Sequence, residues 1–240
     1  MFGMIRPITI VLTLLSVCST FALADAKEDA IAAVRKLADS DNYSWTTSAV
    51  GSGGAGATAA GKTQKDGLII LNFGAPGATQ KTMVIFQGDR GVFQGPDGAW
   101  HVIGDPAEKA DQDAQVIAQM IKTYQAPAVQ AMEIAAKLMD AKADAAGSIS
   151  GSLSSDDAKA LLERRLLRRS GTGGISEPKA DVTFAISNGA PTGIELHMQC
   201  TMASSNGQSR KFDRTTTISI SEINTTQIDV PAEAKAKMKS

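Results

Sequence analysis

Residues 215–238 read TTTISISEINTTQIDVPAEAKAKM. Upstream Phe212 joins Ile218 and Ile220 on one face of an extended chain, with threonines and serines between them, the period-two pattern of a strand lying on a core. Val230-Pro231 then stops extension, because proline has no N–H to give a ladder, and a small charged tail follows. The stretch is expected to be the last edge of a curved antiparallel sheet. The inner face of that sheet holds either something apolar or the protein's own helices.

Working outward, the preceding segments have the same texture. "ADVTFAIS" (180–187), "GIELHMQCTM" (193–202), "RKFDRTTTISIS" (210–221) and "TQIDV" (226–230) read as four strands, with turns at Ser187-Asn188-Gly189 and Ser205-Asn206-Gly207. Asn-Gly between alternating runs is the strongest local hairpin signal. Val182, Phe184 and Ile186 line one face of the first of these strands. Cys200 shares the apolar face of the second with Ile194, Leu196 and Met198, which reads as a packed thiol rather than a reactive one.

Nearer the N-terminus, "YSWTTSAV" (43–50), "GLIILNF" (67–73), "TMVIF" (82–86), "GVF" (91–93) and "WHVI" (100–103) read as a five-strand meander broken by Gly74-Ala75-Pro76-Gly77, Gly88-Asp89 and Gly95-Pro96-Asp97-Gly98. Tyr43, Trp45, Thr47 and Ala49 share one face of the first run. A helix is expected over 25–40, with Ala30, Ile31, Val34, Leu37 and Ala38 at helical spacing. A second helical region is expected from Pro106 to about Lys142. In its first part Val116, Ile117, Met120, Ile121 and Tyr124 form a stripe ending near Pro127; in its second come Val129, Met132, Ala136 and Met139. "GSISGSL" (147–153) reads as a short strand. "SSDDAKALLERRLLRR" (154–169) reads as a helix capped by Ser154, with acids in its first turn and arginines in its last. The expected order is one helix, five strands, two helices, a strand, a helix and four strands. Strands arriving both before and after a helical block are expected to wrap it as one sheet.

The first thirty residues, MFGMIRPITIVLTLLSVCSTFALADAKEDA, set Arg6 ahead of a short apolar run and then Ala22-Leu23-Ala24. That is the pattern of a secretory leader cleaved after Ala24, too short to span a bilayer comfortably. The expected division is therefore a leader over 1–24 and one domain over 25–240, periplasmic or secreted. Val17 suits poorly a lipid-modified Cys18. Without the leader Cys200 stands alone, so no internal disulfide forms and stability rests on burial. With 24 basic and 25 acidic side chains in the whole chain, nothing points to nucleic acid.

The closing runs DVTFAISNGAPTGIELHMQCTM (181–202) and RTTTISISEINTTQIDVPAEAKAKM (214–238) resemble the C-terminal sheet of the LolA/LolB-like lipoprotein carrier superfamily. They also resemble the mycobacterial lipid-binding lipoproteins and the N-terminal domain of the stress regulator RseB. The shared features are a strand, an Asn-Gly turn, an alternating strand, a Thr-rich strand and Ile228-x-Val230-Pro231. The resemblance implies an α+β fold, a curved antiparallel half-barrel of about 9–11 strands with helices in its concave face. It also implies apolar ligands between sheet and helices: a lipid or an acylated protein, as in lipoprotein transport. Under that reading the cavity is lined by Trp45, Ile70, Val84, Phe86, Met120, Tyr124, Met132, Leu162, Phe184 and Met198, with methionine suited to filling and vacating irregular space.

Other chemistry finds little support. Gly51-x-Gly53-x-x-Gly56 in "GSGGAGATAAG" (51–61) is followed by polar "GKTQKDG" rather than an apolar helix, so it reads as a flexible hairpin loop and not a dinucleotide site. His101 and His197 alternate with apolar neighbours and have no companion at ligand spacing, which implies no metal and no cofactor. A serine hydrolase would need a nucleophile near one of them, and no nucleophile-elbow motif is present. Arg164, Arg165, Arg168 and Arg169 read first as solvation of a helix end and second as contacts to anionic headgroups at a membrane or to an acidic partner. The function expected is that of a non-enzymatic exported lipid binder; the alternatives are an envelope sensor or interaction module with a closed core, then a hydrolase.

Overall fold

The computed structural model describes residues 22–52, 54–56, 58–74, 81–105, 112–166, 172–204 and 208–239. Residues 1–21 of the expected leader, Ala75-Pro76-Gly77 of the first break, Pro106, the Ser205-Asn206-Gly207 turn and Arg168 and Arg169 lie outside them. Helix α1 (Ala22–Ala38) comes first, followed by strands β1 (Asn42–Gly51), β2 (Gly54–Ala55), β3 (Thr58–Gln64), β4 (Leu68–Gly74), β5 (Thr82–Gln87), β6 (Arg90–Gln94) and β7 (Trp100–Val102). Next come α2 (Gln112–Lys122), α3 (Pro127–Ala136), β8 (Met139–Ala143), β9 (Ser148–Ser152) and α4 (Ser155–Leu166). The chain closes with β10 (Thr172–Ser187), β11 (Ala190–Ser204), β12 (Ser209–Ser221) and α5 (Ala232–Lys239).

The strands form one 12-stranded antiparallel sheet in the order β7-β6-β5-β4-β3-β1-β12-β11-β10-β9-β8, with β2 beside β1. Pairing of β1 with β12, from Ser44 opposite Ser221 to Gly51 opposite Arg214, joins a first wing (β1–β7) to a second (β8–β12). The Thr-rich strand is therefore at the centre of the sheet, not at its edge as the sequence suggested. The edges are β7 and β8, both short, which limits the unpaired backbone offered to other chains. Laid flat, eleven strands about 4.8 Å apart would extend roughly 50 Å. Instead the sheet curves without closing, and inner residues of both wings enter one apolar body with helices α1 to α4. Helix α1 packs on α3 and reaches β8, β9 and β11, while α4 lies on β10. The expected curved α+β sheet around a helical block is what forms.

Local chemistry accounts for several boundaries. Asn188 and Gly189 take φ of 52° and 71° between paired Ser187 and Ala190, the left-handed pair of a type I′ turn. Ser154 Oγ accepts from the Asp157 N–H at 3.1 Å, capping α4 as its sequence predicts.

Four expectations need correction. The Gly-rich stretch read as a loop holds β2 and the start of β3, an interior strand between β1 and β4. Gly61 is there because the Trp45 indole lies across it: a Cβ on Gly61 would fall 2.4 Å from Trp45 Cζ2. The second helix stops at Ala136, and Met139–Ala143 is β8. Its helical propensity yields to pairing with β9 and to burial of Leu138 and Ala141. Val116, Val129 and Met139, expected on apolar stripes, are exposed at 60%, 49% and 47%. Finally, 226–230 is not a strand, and the tail beyond Pro231 is helical. Val230 and Ala234 cover Ile70, Ile85, Val92 and Trp100 on the outer face of the first wing.

Candidate functional site

Alternation decides which face each strand residue serves. On β4, Ile69 and Leu71 face inward, while Ile70 faces outward beneath the C-terminal strap. Ile70 therefore belongs to the outer cluster and not to the proposed cavity wall. Val84 and Phe86 from the first wing, and Phe184 and Met198 from the second, are buried on the inner side with Trp45 and with Leu162 from α4. Met120 and Met132 from the helices and Tyr124 just beyond α2 are partly buried against the same body. Each fully buried side chain of this size contributes roughly 1.5–3 kcal/mol from lost apolar surface.

The tightest constellation is aromatic. The Tyr124 ring lies 6.4 Å from Trp45 at an interplanar angle of 30° and 5.2 Å from Phe86 at 84°, one stacked and one edge-on contact. Trp45 and Tyr43 project from the same face of β1, opposite Gly61 and Thr63 of β3. The indole Nε1 donates to Thr63 Oγ1 at 3.2 Å. The Tyr43 hydroxyl accepts from the Ala128 N–H at 3.3 Å. It thus satisfies the first turn of α3, whose Ala126 provides no side-chain cap.

The Tyr124 hydroxyl differs from these. It is buried and makes no hydrogen bond of good geometry, and the same holds for Thr216 Oγ1 on the inner face of β12; the polar group beside the Tyr124 hydroxyl is the Thr63 side chain. Burial, and after it the neighbouring Tyr43, raises the Tyr124 phenol above its ordinary value. Burial raises Tyr43 too, against the hydrogen bond from Ala128. Both phenols remain neutral, so the site is a small polar island in an uncharged apolar interior. Tyr43 and Thr63 were not among the residues expected to form a site. The alternation that selected Trp45 also selects Tyr43, but Thr63 lay in a segment read as loop.

The histidines are elsewhere. His197 Nε2 lies 3.0 Å from Asp213 Oδ1, and Gln199 donates to Asp213 Oδ2 at 2.7 Å. Gln199 first and His197 second hold the Asp213 carboxyl below its usual range. His101 stacks on Phe93 at 5.2 Å and stands 3.6 Å from Asp97. His101 thus meets an aspartate four residues before it in the chain, while His197 meets one brought in from the neighbouring strand β12. No group of three His, Cys, Asp or Glu side chains able to hold a metal occurs among the described residues. Cys200 is buried as expected, and burial raises its thiol pKa. Arg164 pairs with Glu133 at 2.8 Å and Arg165 donates to Gln130 at 3.2 Å, bracing α4 against α3. A polar cleft of about 540 Å³ at the end of α1, lined by Arg35, Lys36, Asp39 and Asn224 among others, is separate from the apolar interior. No described helix is long and apolar enough to cross a membrane.

No protein-family model and no curated protein matches the chain. Among solved structures, the fold is similar to the crystal structure of LprF from Mycobacterium bovis. The two chains are 13% identical over 89% of this chain and 99% of that one, with a TM-score of 0.47. It is also similar to a LolA superfamily protein from Nitrosomonas europaea, 9% identical over 88% of this chain and 96% of that one, with a TM-score of 0.30.

Proposed function

We propose that residues 25–240 form one exported, non-enzymatic half-barrel domain that binds a lipid or other apolar moiety between its sheet and its helices. The observation carrying this reading is the inner body itself: aromatic and methionine side chains from both wings and the helices form one apolar cluster, and the buried Tyr124 phenol within it makes no hydrogen bond of good geometry. Soft, partly exposed Met120 and Met132 on the helix side can yield to a guest. Lipid or an acylated protein is the partner. Native mass spectrometry of the protein recovered from its own envelope tests the reading. The expected spectrum contains an adduct of lipid mass that organic extraction removes. Folded protein repeatedly free of such an adduct overturns it.

A second reading is an envelope sensor or interaction module with a closed core. It is favoured by Val84, Leu162 and Phe184, all 0% exposed, which leave that part of the interior filled. Cross-linking in the envelope separates the two, since a module retains a protein partner where a carrier releases its ligand to membranes.

A further inference from the structure

We infer that the Tyr124 hydroxyl is the polar anchor of the apolar site, donating a hydrogen bond to the neutral carbonyl oxygen of an acyl ester or amide. This rests on the lipid-binding reading above and specifies what kind of lipid the site takes.

In an apolar interior a hydroxyl that has lost water and gained no partner is a liability, and phenylalanine would fill nearly the same volume without it. The other polar groups of the island are engaged: Tyr43 accepts the Ala128 N–H, and Thr63 accepts the Trp45 N–H. Among the described residues of the island, only the Tyr124 oxygen makes no hydrogen bond of good geometry, the Thr63 hydroxyl beside it already accepting from Trp45. It is also pre-aimed, because its ring is held between Trp45 and Phe86 and its backbone N–H is bonded to Ile121 O at 3.1 Å. A fixed donor of this kind adds orientation to a mostly apolar pocket. Tyr124 is of intermediate burial and lies in the connection between α2 and α3, the side from which a guest would approach.

The surroundings select the chemistry of the acceptor. Trp45, Phe86, Tyr43 and Thr63 are all neutral, so nothing in this ring offsets the burial of a carboxylate. An ester or amide carbonyl accepts a hydrogen bond without carrying charge. The acyl ester of a glycerolipid and the acyl group of a lipidated protein share this feature.

The test uses the full chain and displacement of the fluorescent probe N-phenyl-1-naphthylamine by chain-matched ligands: heptadecane, methyl palmitate, palmitate, dipalmitoylglycerol and a dipalmitoylated cysteinyl peptide. In the wild type, methyl palmitate is expected to bind between about 2-fold and 10-fold more tightly than heptadecane, the range of one neutral hydrogen bond. Palmitate should bind less well than its ester at neutral pH. Tyr124→Phe should erase the ester preference, leave heptadecane unchanged and keep the thermal midpoint at or above that of the wild type. Whichever of the last two ligands loses more affinity in Tyr124→Phe identifies the source of the carbonyl. Heptadecane and ester binding equally in both proteins overturns the inference while the lipid site stands, because water then satisfies the hydroxyl. Loss of the preference in Thr216→Val instead of Tyr124→Phe also overturns it. Failure of every ligand to displace the probe from the wild type refutes both this inference and the function on which it rests.

Discussion

Gly61→Ala sets two effects of opposite sign against each other, and the geometry decides between them. Gly61 does not use the left-handed region of backbone space, so alanine would be expected to stabilise by about 0.4–1 kcal/mol through the unfolded chain. Its Cβ, however, would lie 2.4 Å from Trp45 Cζ2, 2.6 Å from Cε2 and 3.0 Å from the Ile70 carbonyl oxygen. Carbon atoms pack best at about 3.5–4.0 Å, so the indole must retreat by more than about 1 Å. It has little freedom to do so, being bonded to Thr63 on one side and stacked near Tyr124 on another. Overpacking of about 1–3 kcal/mol together with a hydrogen bond worth about 1 kcal/mol outweighs the entropic gain. The expected net loss is about 2 kcal/mol, or roughly 4–8 °C in thermal midpoint for a chain of this size. Urea unfolding followed by far-UV circular dichroism measures it. In the Trp45→Phe background the missing ring carbons should let Gly61→Ala recover at least half of the loss. Gly61→Ala as stable as the wild type, or no rescue by Trp45→Phe, refutes the account of β3.

Three further outcomes are expected. Ala234→Asp, which forces a charge toward Trp100 and Val92, should lift α5 from the sheet at a cost of roughly 2–3 kcal/mol, with a red shift of Trp100 emission in a Trp45→Phe background; a folded variant with unshifted emission is the contrary result. Thr216→Val removes an unpaired hydroxyl at nearly constant shape and should raise stability by about 1 kcal/mol in chemical denaturation, whereas a loss would mean that the hydroxyl has a partner. Glu133, chiefly through its hydrogen bond from Arg164, is held below its ordinary 4.5. A depressed carboxyl stabilises the fold above its ordinary value and loses that contribution as pH falls through its folded one. Stability should therefore decline below pH 4.5 and decline less steeply in Glu133→Gln; because the pair is exposed, the variant should cost less than about 1 kcal/mol at neutral pH, and identical slopes would show that the pair carries no pH dependence.

Much of the site was legible from short-range pattern. Alternation was read for the strands of Trp45, Phe184 and Met198, and these face the inner body, as do Val84 and Phe86, which were expected there without an assigned face. Ile70 was chosen on hydrophobicity alone and fell on the other face. In LIIL all four residues are apolar, so alternation carries no information there, and only the strap from Ile228 to Met238 explains why the outer positions are apolar too. The Tyr124 hydroxyl was visible as a residue but not as an unsatisfied group, because satisfaction depends on neighbours tens of residues away.

The amino-acid sequence alone determined the strands with clean alternation, the I′ turn at Asn188-Gly189, the Ser154 cap and the burial of Cys200, because each depends on residues a few positions apart. Tertiary structure decided that the Gly-rich run is an interior strand, that the helix of 127–136 gives way to β8 and that the Thr-rich strand lies at the centre of the sheet. Those outcomes are set by partners far along the chain: Trp45 lying across Gly61, β9 opposite β8, and β1 pairing with β12. Local propensity differs between such alternatives by only about 1 kcal/mol per residue, and long-range burial and pairing exceed that.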